Sequence, residues 1–84
     1  MAAGVARKGD ELENGLAVID GPCSDDVFIN NKKAALKGDS TSPDVGTLDG
    51  SRDVYVNGKV LQAKGDSTTL GAKITEASDD VFVD

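Results

Sequence analysis

The residues able to do chemistry in this 84-residue chain are few. It has one cysteine, Cys23, and no histidine, so no nucleophile–base pair of the Cys–His kind and no internal disulfide can be written. Carboxylates are plentiful: fifteen Asp and Glu stand against nine Lys and Arg, for a net charge of −6. Some come as adjacent pairs, Asp25-Asp26 and Asp79-Asp80, and three close a repeated tripeptide: Lys8-Gly9-Asp10, Lys37-Gly38-Asp39 and Lys64-Gly65-Asp66. Clustered oxygens suit calcium, but no EF-hand spacing surrounds the pairs, and they read as solvated entrances to strands. Lys37-Gly38-Asp39-Ser40-Thr41 lacks the lead and the Gly-Lys-Ser/Thr order of a phosphate loop. A turn explains the tripeptide better, with glycine giving backbone freedom and the aspartate accepting from nearby N–H groups. Cys23 follows Gly21-Pro22 in the longest interval between a Gly-Asp and the next repeated serine, which makes it a loop residue rather than a ligand. No acid pair stands off the repeat pattern, so the expectation is a non-enzyme with no catalytic residue, metal ligand or cofactor.

The balance of charge excludes further classes. The sequence pI is near 4.4, and the basic residues are scattered, whereas nucleic-acid binding needs clustered Lys and Arg to displace counterions. No apolar run approaches the roughly 20 residues of a membrane helix. The opening Met1-Ala2-Ala3-Gly4-Val5-Ala6-Arg7 has no hydrophobic segment like that of a signal peptide, and cytoplasmic synthesis is expected. The length fits one domain over 1–84, with a small core and no staple to reinforce it.

The elements that position these residues come from a repeat. Ser24-Asp25-Asp26-Val27-Phe28-Ile29-Asn30 recurs 27 residues on as Ser51-Arg52-Asp53-Val54-Tyr55-Val56-Asn57, and 27 further as Ser78-Asp79-Asp80-Val81-Phe82-Val83-Asp84. Every aromatic residue (Phe28, Tyr55, Phe82) holds the same repeat position. The Lys-Gly-Asp element follows with the same offset, and its third copy stands at the N-terminus. The chain ends therefore read as halves of one unit, cut between Asp84 and Ala2.

Asn57-Gly58 is the strongest short signal for a two-residue hairpin, because both central residues need positive φ, and Asn30-Asn31 is its weaker equivalent. Val54-Tyr55-Val56 and Val60-Leu61-Gln62-Ala63 flank the turn as strands. Lys32 to Lys37 has helix propensity, but the repeat maps it onto Lys59 to Lys64 and makes it strand. The expectation is an all-β domain of three hairpins about a pseudo-threefold axis. The third is closed by Val5 to Lys8 lying beside Val81 to Val83, which removes free strand edges. Along each first strand Val27 and Ile29 face one way and Asp26, Phe28 and Asn30 the other. The aromatics at one repeat position read as packing rather than ligand stacking.

On these residues the sequence resembles the PAAR-repeat proteins. The shared unit is Ser-x-x-Val-Phe-Ile-Asn, a turn, a small-residue stretch and Gly-Asp. Here that stretch is Lys33-Ala34-Ala35-Leu36-Lys37, Val60-Leu61-Gln62-Ala63-Lys64 and Gly4-Val5-Ala6-Arg7-Lys8, and the literal Pro-Ala-Ala-Arg is absent. The resemblance implies a small conical cap on a homotrimeric β-helical spike, one cap per trimer. The host would be a contractile phage tail baseplate or a type VI secretion spike. The cap would touch the target-cell envelope transiently, with no nucleic acid and no small-molecule substrate. It would lie at the tip of the virion's tail spike after synthesis in the host cytoplasm, or leave a bacterial cytoplasm on the secretion spike. The opening Met1 to Asp10 looks more like the phage members. Typical members hold a zinc ion with three histidines and a cysteine. With no histidine present, the expectation is an apex held by packing and hydrogen bonds, with Val18, Ile19, Val45, Leu48, Leu70 and Ile74 as candidates for the packing. A different class, a small β module binding calcium or sugar through the Asp-rich loops, would melt higher with calcium.

Overall fold

The computed structural model describes residues 2–83. In chain order the elements are β1 (Ala3–Gly4), β2 (Glu11–Leu12), a 3-10 turn (Glu13–Gly15), β3 (Ala17–Gly21), β4 (Phe28–Ile29), β5 (Lys32–Lys33), β6 (Ser40–Ser42), β7 (Tyr55–Val56), β8 (Lys59–Val60) and β9 (Phe82–Val83). β4–β5, β7–β8 and β1–β9 are two-stranded antiparallel sheets, and β2–β3–β6 forms a three-stranded sheet.

The expected hairpin turns are present. Ile29 pairs with Lys32 and Val56 with Lys59, leaving two-residue loops. Asn30 and Asn31 have φ of 54° and 68°, and Asn57 and Gly58 have 53° and 76°, the left-handed pair that matches strand twist. The third hairpin closes between chain ends, with Ala3 opposite Val83 and Gly4 opposite Phe82, and the Val5 N–H donating to Val81 O at 2.9 Å. The pairing thus uses Ala3 to Val5 rather than the whole of Val5 to Lys8, because Ala6 and Lys8 direct their N–H groups to other strands. The expected cut falls on Asp84, which lies outside the described residues.

What unites the three hairpins is a closed ring of backbone bonds. Ala6 N–H donates to Gln62 O at 3.0 Å, Gln62 N–H to Ala35 O at 3.0 Å, and Ala35 N–H to Ala6 O at 2.9 Å. A second ring follows two residues on: Lys8 N–H to Lys33 O, Lys37 N–H to Val60 O, and Lys64 N–H to Gly4 O, at 2.8, 2.8 and 2.9 Å. These bonds hold Lys32 to Lys37 extended against its local helix propensity. Ala6, Ala35 and Gln62 are all fully buried at the ring, and the Gln62 amide is satisfied by Gly50, whose N–H it accepts and whose carbonyl it donates to.

The core has two parts. Around one side of the ring Val5, Ala34, Leu36 and Leu61 are buried, with Val27, Ile29, Val56, Val81 and Val83 half-covered against them. On the other side lie Ala6, Leu12, Ala17, Ile19, Cys23, Ala35, Leu48, Ala72 and Ile74, with Val45 at the margin. Ile19, Leu48 and Ile74, expected to pack the apex, are each 1% exposed. Val18 and Leu70 depart from expectation and are exposed. β3 alternates Ala17, Ile19 and Gly21 inward, so Val18 must face out. Leu70 sits in the Thr68–Gly71 turn, where Gly71 N–H donates to Thr68 O. Leu12, Ala17 and Ala72 fill the space instead.

Candidate functional site

The Gly-Asp steps are structural brackets repeated three times. Gly9, Gly38 and Gly65 have φ of 90°, 93° and 93°, which an L side chain would strain. Each following carboxylate accepts the backbone N–H three residues back: Arg7 to Asp10, Leu36 to Asp39, and Ala63 to Asp66, at 2.9, 2.7 and 2.9 Å. Each aspartate's own backbone ties in the apex, since Asp10, Asp39 and Asp66 carbonyls accept from Ile19, Leu48 and Ile74. The expected turn chemistry holds.

The three carboxylates, buried at Asp10 and Asp39 and partly buried at Asp66, are compensated by different residues. Asp10 takes two guanidinium bonds from Arg7, at 2.9 and 3.0 Å; these bonds hold the Arg7 pKa above its ordinary value. Asp66 takes Arg52, reaching over from the position where the other repeats carry Asp25 and Asp79. Asp39 has a second backbone donor instead, the N–H of Cys23 at 3.2 Å. Burial first, and then the Asp39 charge and a hydrogen bond to it, push the Cys23 thiol up to about 12. Cys23 is therefore a buried structural thiol. It lies at the Gly21–Ser24 loop as expected, but within the core.

The adjacent aspartates are exposed, and one of each pair has a further task. Ser24 Oγ accepts the Val27 N–H at 3.0 Å and donates to Asn57 Oδ1 at 2.7 Å, while Asn57 Nδ2 donates to Asp26 at 3.1 Å. Ser78 Oγ likewise accepts from Val81 and donates to Asn30 Oδ1 at 2.7 Å, with Asn30 Nδ2 donating to Asp80 at 2.9 Å. Each latch joins the entrance of one hairpin to the turn of the next. Hydrogen bonds from Asn30 and then Ser78 lower the Asp80 pKa. The signal for these latches was present in the repeat, as a serine and an asparagine at fixed positions, but it gave no partner.

The apex does not fit the zinc site of typical relatives. Leu12, Thr41 and Thr68 stand two residues beyond the three Gly-Asp steps, and all are buried. Thr41 Oγ1 donates to Gly46 O and accepts from Val45 N–H. Thr68 Oγ1 donates to Val45 O and accepts from Ala72 N–H. Both hydroxyls are spent on backbone, and Ile19, Leu48 and Ile74 close the interior between them. A zinc site wants Cys, His or carboxylate ligands in tetrahedral array. Among the described residues no group of three or more His, Cys, Asp or Glu could hold a metal.

The opposite end is a different surface. β4, β7 and β9 each pair on one side only among the described residues, so three strand edges lie open at equivalent positions. Between them is an aliphatic floor, the half-buried Val27, Ile29, Val56, Val81 and Val83. The alternation expected for the first strands is resolved: Val27 and Ile29 face the core and Phe28 faces away. The aromatics are not packing, for Phe28, Tyr55 and Phe82 are 54%, 62% and 57% exposed. The family model described as the PAAR motif matches residues 8–76. The chain belongs to the PAAR family. No curated protein and no solved structure matches it significantly. The PAAR motif implies a structural role at the tip of the spike of a contractile injection system. The two ends of this PAAR domain suit that role, with a packed apex and an open base.

Proposed function

We propose that this PAAR domain caps the end of a homotrimeric β-helical spike, one cap per trimer, in a contractile phage tail baseplate. There it sharpens the tip that meets the target-cell envelope, and its place is the virion. The observation that carries the reading is the base: three open strand edges around an aliphatic floor, in one chain. The end of a β-helical trimer presents unpaired backbone groups and an apolar column three times over. A single chain with three similar faces satisfies all three without a partner copy of itself, and strand edges recruit strand edges through main-chain bonds. The resemblance of Met1 to Asp10 to phage members supports the phage tail over a secretion spike. Mixing the protein with the C-terminal fragment of its own spike trimer should give a complex of one cap to three spike chains by light scattering. Absence of binding overturns the reading. We also infer that this cap works without a metal, its apex being closed by Leu12, Ile19, Leu48 and Ile74 and bracketed by Thr41 and Thr68.

A further inference from the structure

We propose that Phe28, Tyr55 and Phe82 are three anchoring knobs that grip the rim of the trimeric spike from outside, each seated against one spike chain. The inference rests on the capping reading and adds a contact that the floor and strand edges do not supply. These are all the aromatic residues of the chain, and none is spent on its core. Each sits on an edge strand, facing away from the floor, with more than half its surface open. Their cross-strand neighbours do not cover them: Phe28 faces Lys33, Tyr55 faces Val60, which is buried, and Phe82 faces Gly4, which has no side chain. The hairpin turns and the Ser–Asn latches fix the strands that carry them, so the rings are held in place rather than left on flexible loops.

An aromatic ring brings a large apolar area at little conformational cost, and interfaces are enriched in such residues. Three at one repeat position match a partner that repeats its own surface three times. The knobs require an apolar surface at the rim of each spike chain. A cleft of about 320 Å³ adjoins Phe82, and a second of about 370 Å³ lies between the β4–β5 and β7–β8 repeats. The first is bordered by Phe82, Lys64, Glu76 and Asp79, and the second by Asp25, Asp26, Asn57 and Lys59. Their mixed charges give the rim polar partners around an apolar contact, the usual order of an interface.

The test compares wild type, the triple variant Phe28→Ser/Tyr55→Ser/Phe82→Ser and the floor variant Ile29→Asp for binding to the C-terminal fragment of the spike trimer. Thermal melting of each cap alone checks the fold. The triple variant should melt close to wild type, because the rings are exposed, yet bind at least about tenfold more weakly, the loss expected from truncating interface anchors. Tyr55, the single tyrosine, should be nitrated by tetranitromethane in the free cap and protected in the complex. Full binding by the triple variant, with Tyr55 nitrated equally in both states, overturns the knobs and leaves capping standing. Failure of wild type to bind overturns capping and the knobs together.

Discussion

At the scale of residues, the same task is met by different side chains at equivalent places. Asp10 and Asp66 have arginines, and Asp39 has Cys23. Asp39→Ala would leave the Leu36 and Cys23 N–H groups without their acceptor, and each buried orphan costs about 1–3 kcal/mol. Urea unfolding should show a loss of about 2–4 kcal/mol, whereas Asp39→Asn, which keeps an acceptor oxygen, should lose less. The thiol beside it gives a pH dependence of known sign. Its pKa is raised in the folded protein, to about 12 from an ordinary 9.0. Its contribution is therefore complete below pH 9 and is lost as pH rises from about 9 to about 12. Urea unfolding across that window should show the decline, and Cys23→Ser should remove that part of it. Asp80 runs the other way: its lowered pKa stabilises the fold above the ordinary aspartate range, and the gain is lost as pH falls through the folded value. In Ser78→Ala its carboxyl titration, followed by NMR, should move back toward the ordinary value. The sequence announced the Gly-Asp turns because glycine and aspartate carry turn chemistry locally. It did not announce which cation would serve which carboxylate, since Arg52 reaches Asp66, 14 residues on within the same repeat, only after the hairpin between them has formed.

Among the elements, the weakest joint is the one formed by no covalent turn. β1 and β9 are two residues each and meet across the full length of the chain. Gly4 is required there for space rather than for backbone freedom: a Cβ at this position would come within 2.3 Å of Ser78 O. Gly4→Ala must push β1 off the Ser78 segment, and overpacking of this kind costs typically 1–3 kcal/mol. Hydrogen exchange should then show the Val5 and Ser78 amides losing protection before those of the β7–β8 hairpin. Such a joint was legible in advance, because a 27-residue offset leaves half a repeat at each end. The hairpins were equally legible from Asn57-Gly58 and its Asn30-Asn31 counterpart. The β2–β3–β6 sheet was not, and the reason is physical. Its strands lie in the segments after Gly-Asp, where the repeats diverge in length, and their pairing joins Val18 to Ser42 and Ile19 to Thr41 across repeats. Val18 and Leu70 were misplaced for the same cause, since hydrophobicity alone does not say which face of an unpatterned segment is covered.

For the whole molecule the proposal that the cap works without a metal makes the apex packing the thing to test. Four aliphatic residues, Leu12, Ile19, Leu48 and Ile74, are essentially closed to solvent, and full burial of each is worth about 1.5–3 kcal/mol relative to exposure. Those residues come from three separate repeats, so their packing ties the repeats together at the end away from the base, as a shared ion would. The substitution has a consequence for how the molecule responds to metal. An ion that binds only the folded state stabilises it by an amount that grows with its concentration, about 2.7 kcal/mol at a hundred times the dissociation constant. With a zinc site, melting would rise with added zinc and fall sharply in EDTA. With the aliphatic plug, both titrations should be flat, elemental analysis of the capped spike should find no zinc assignable to the cap, and calcium should have no effect either. Leu48→Ala supplies the positive control, because a cavity at a fully buried leucine costs about 2–5 kcal/mol and no metal should restore it. A melting temperature that climbs with zinc in wild type but not in Cys23→Ser would show that the plug has been misread and that Cys23 is a ligand.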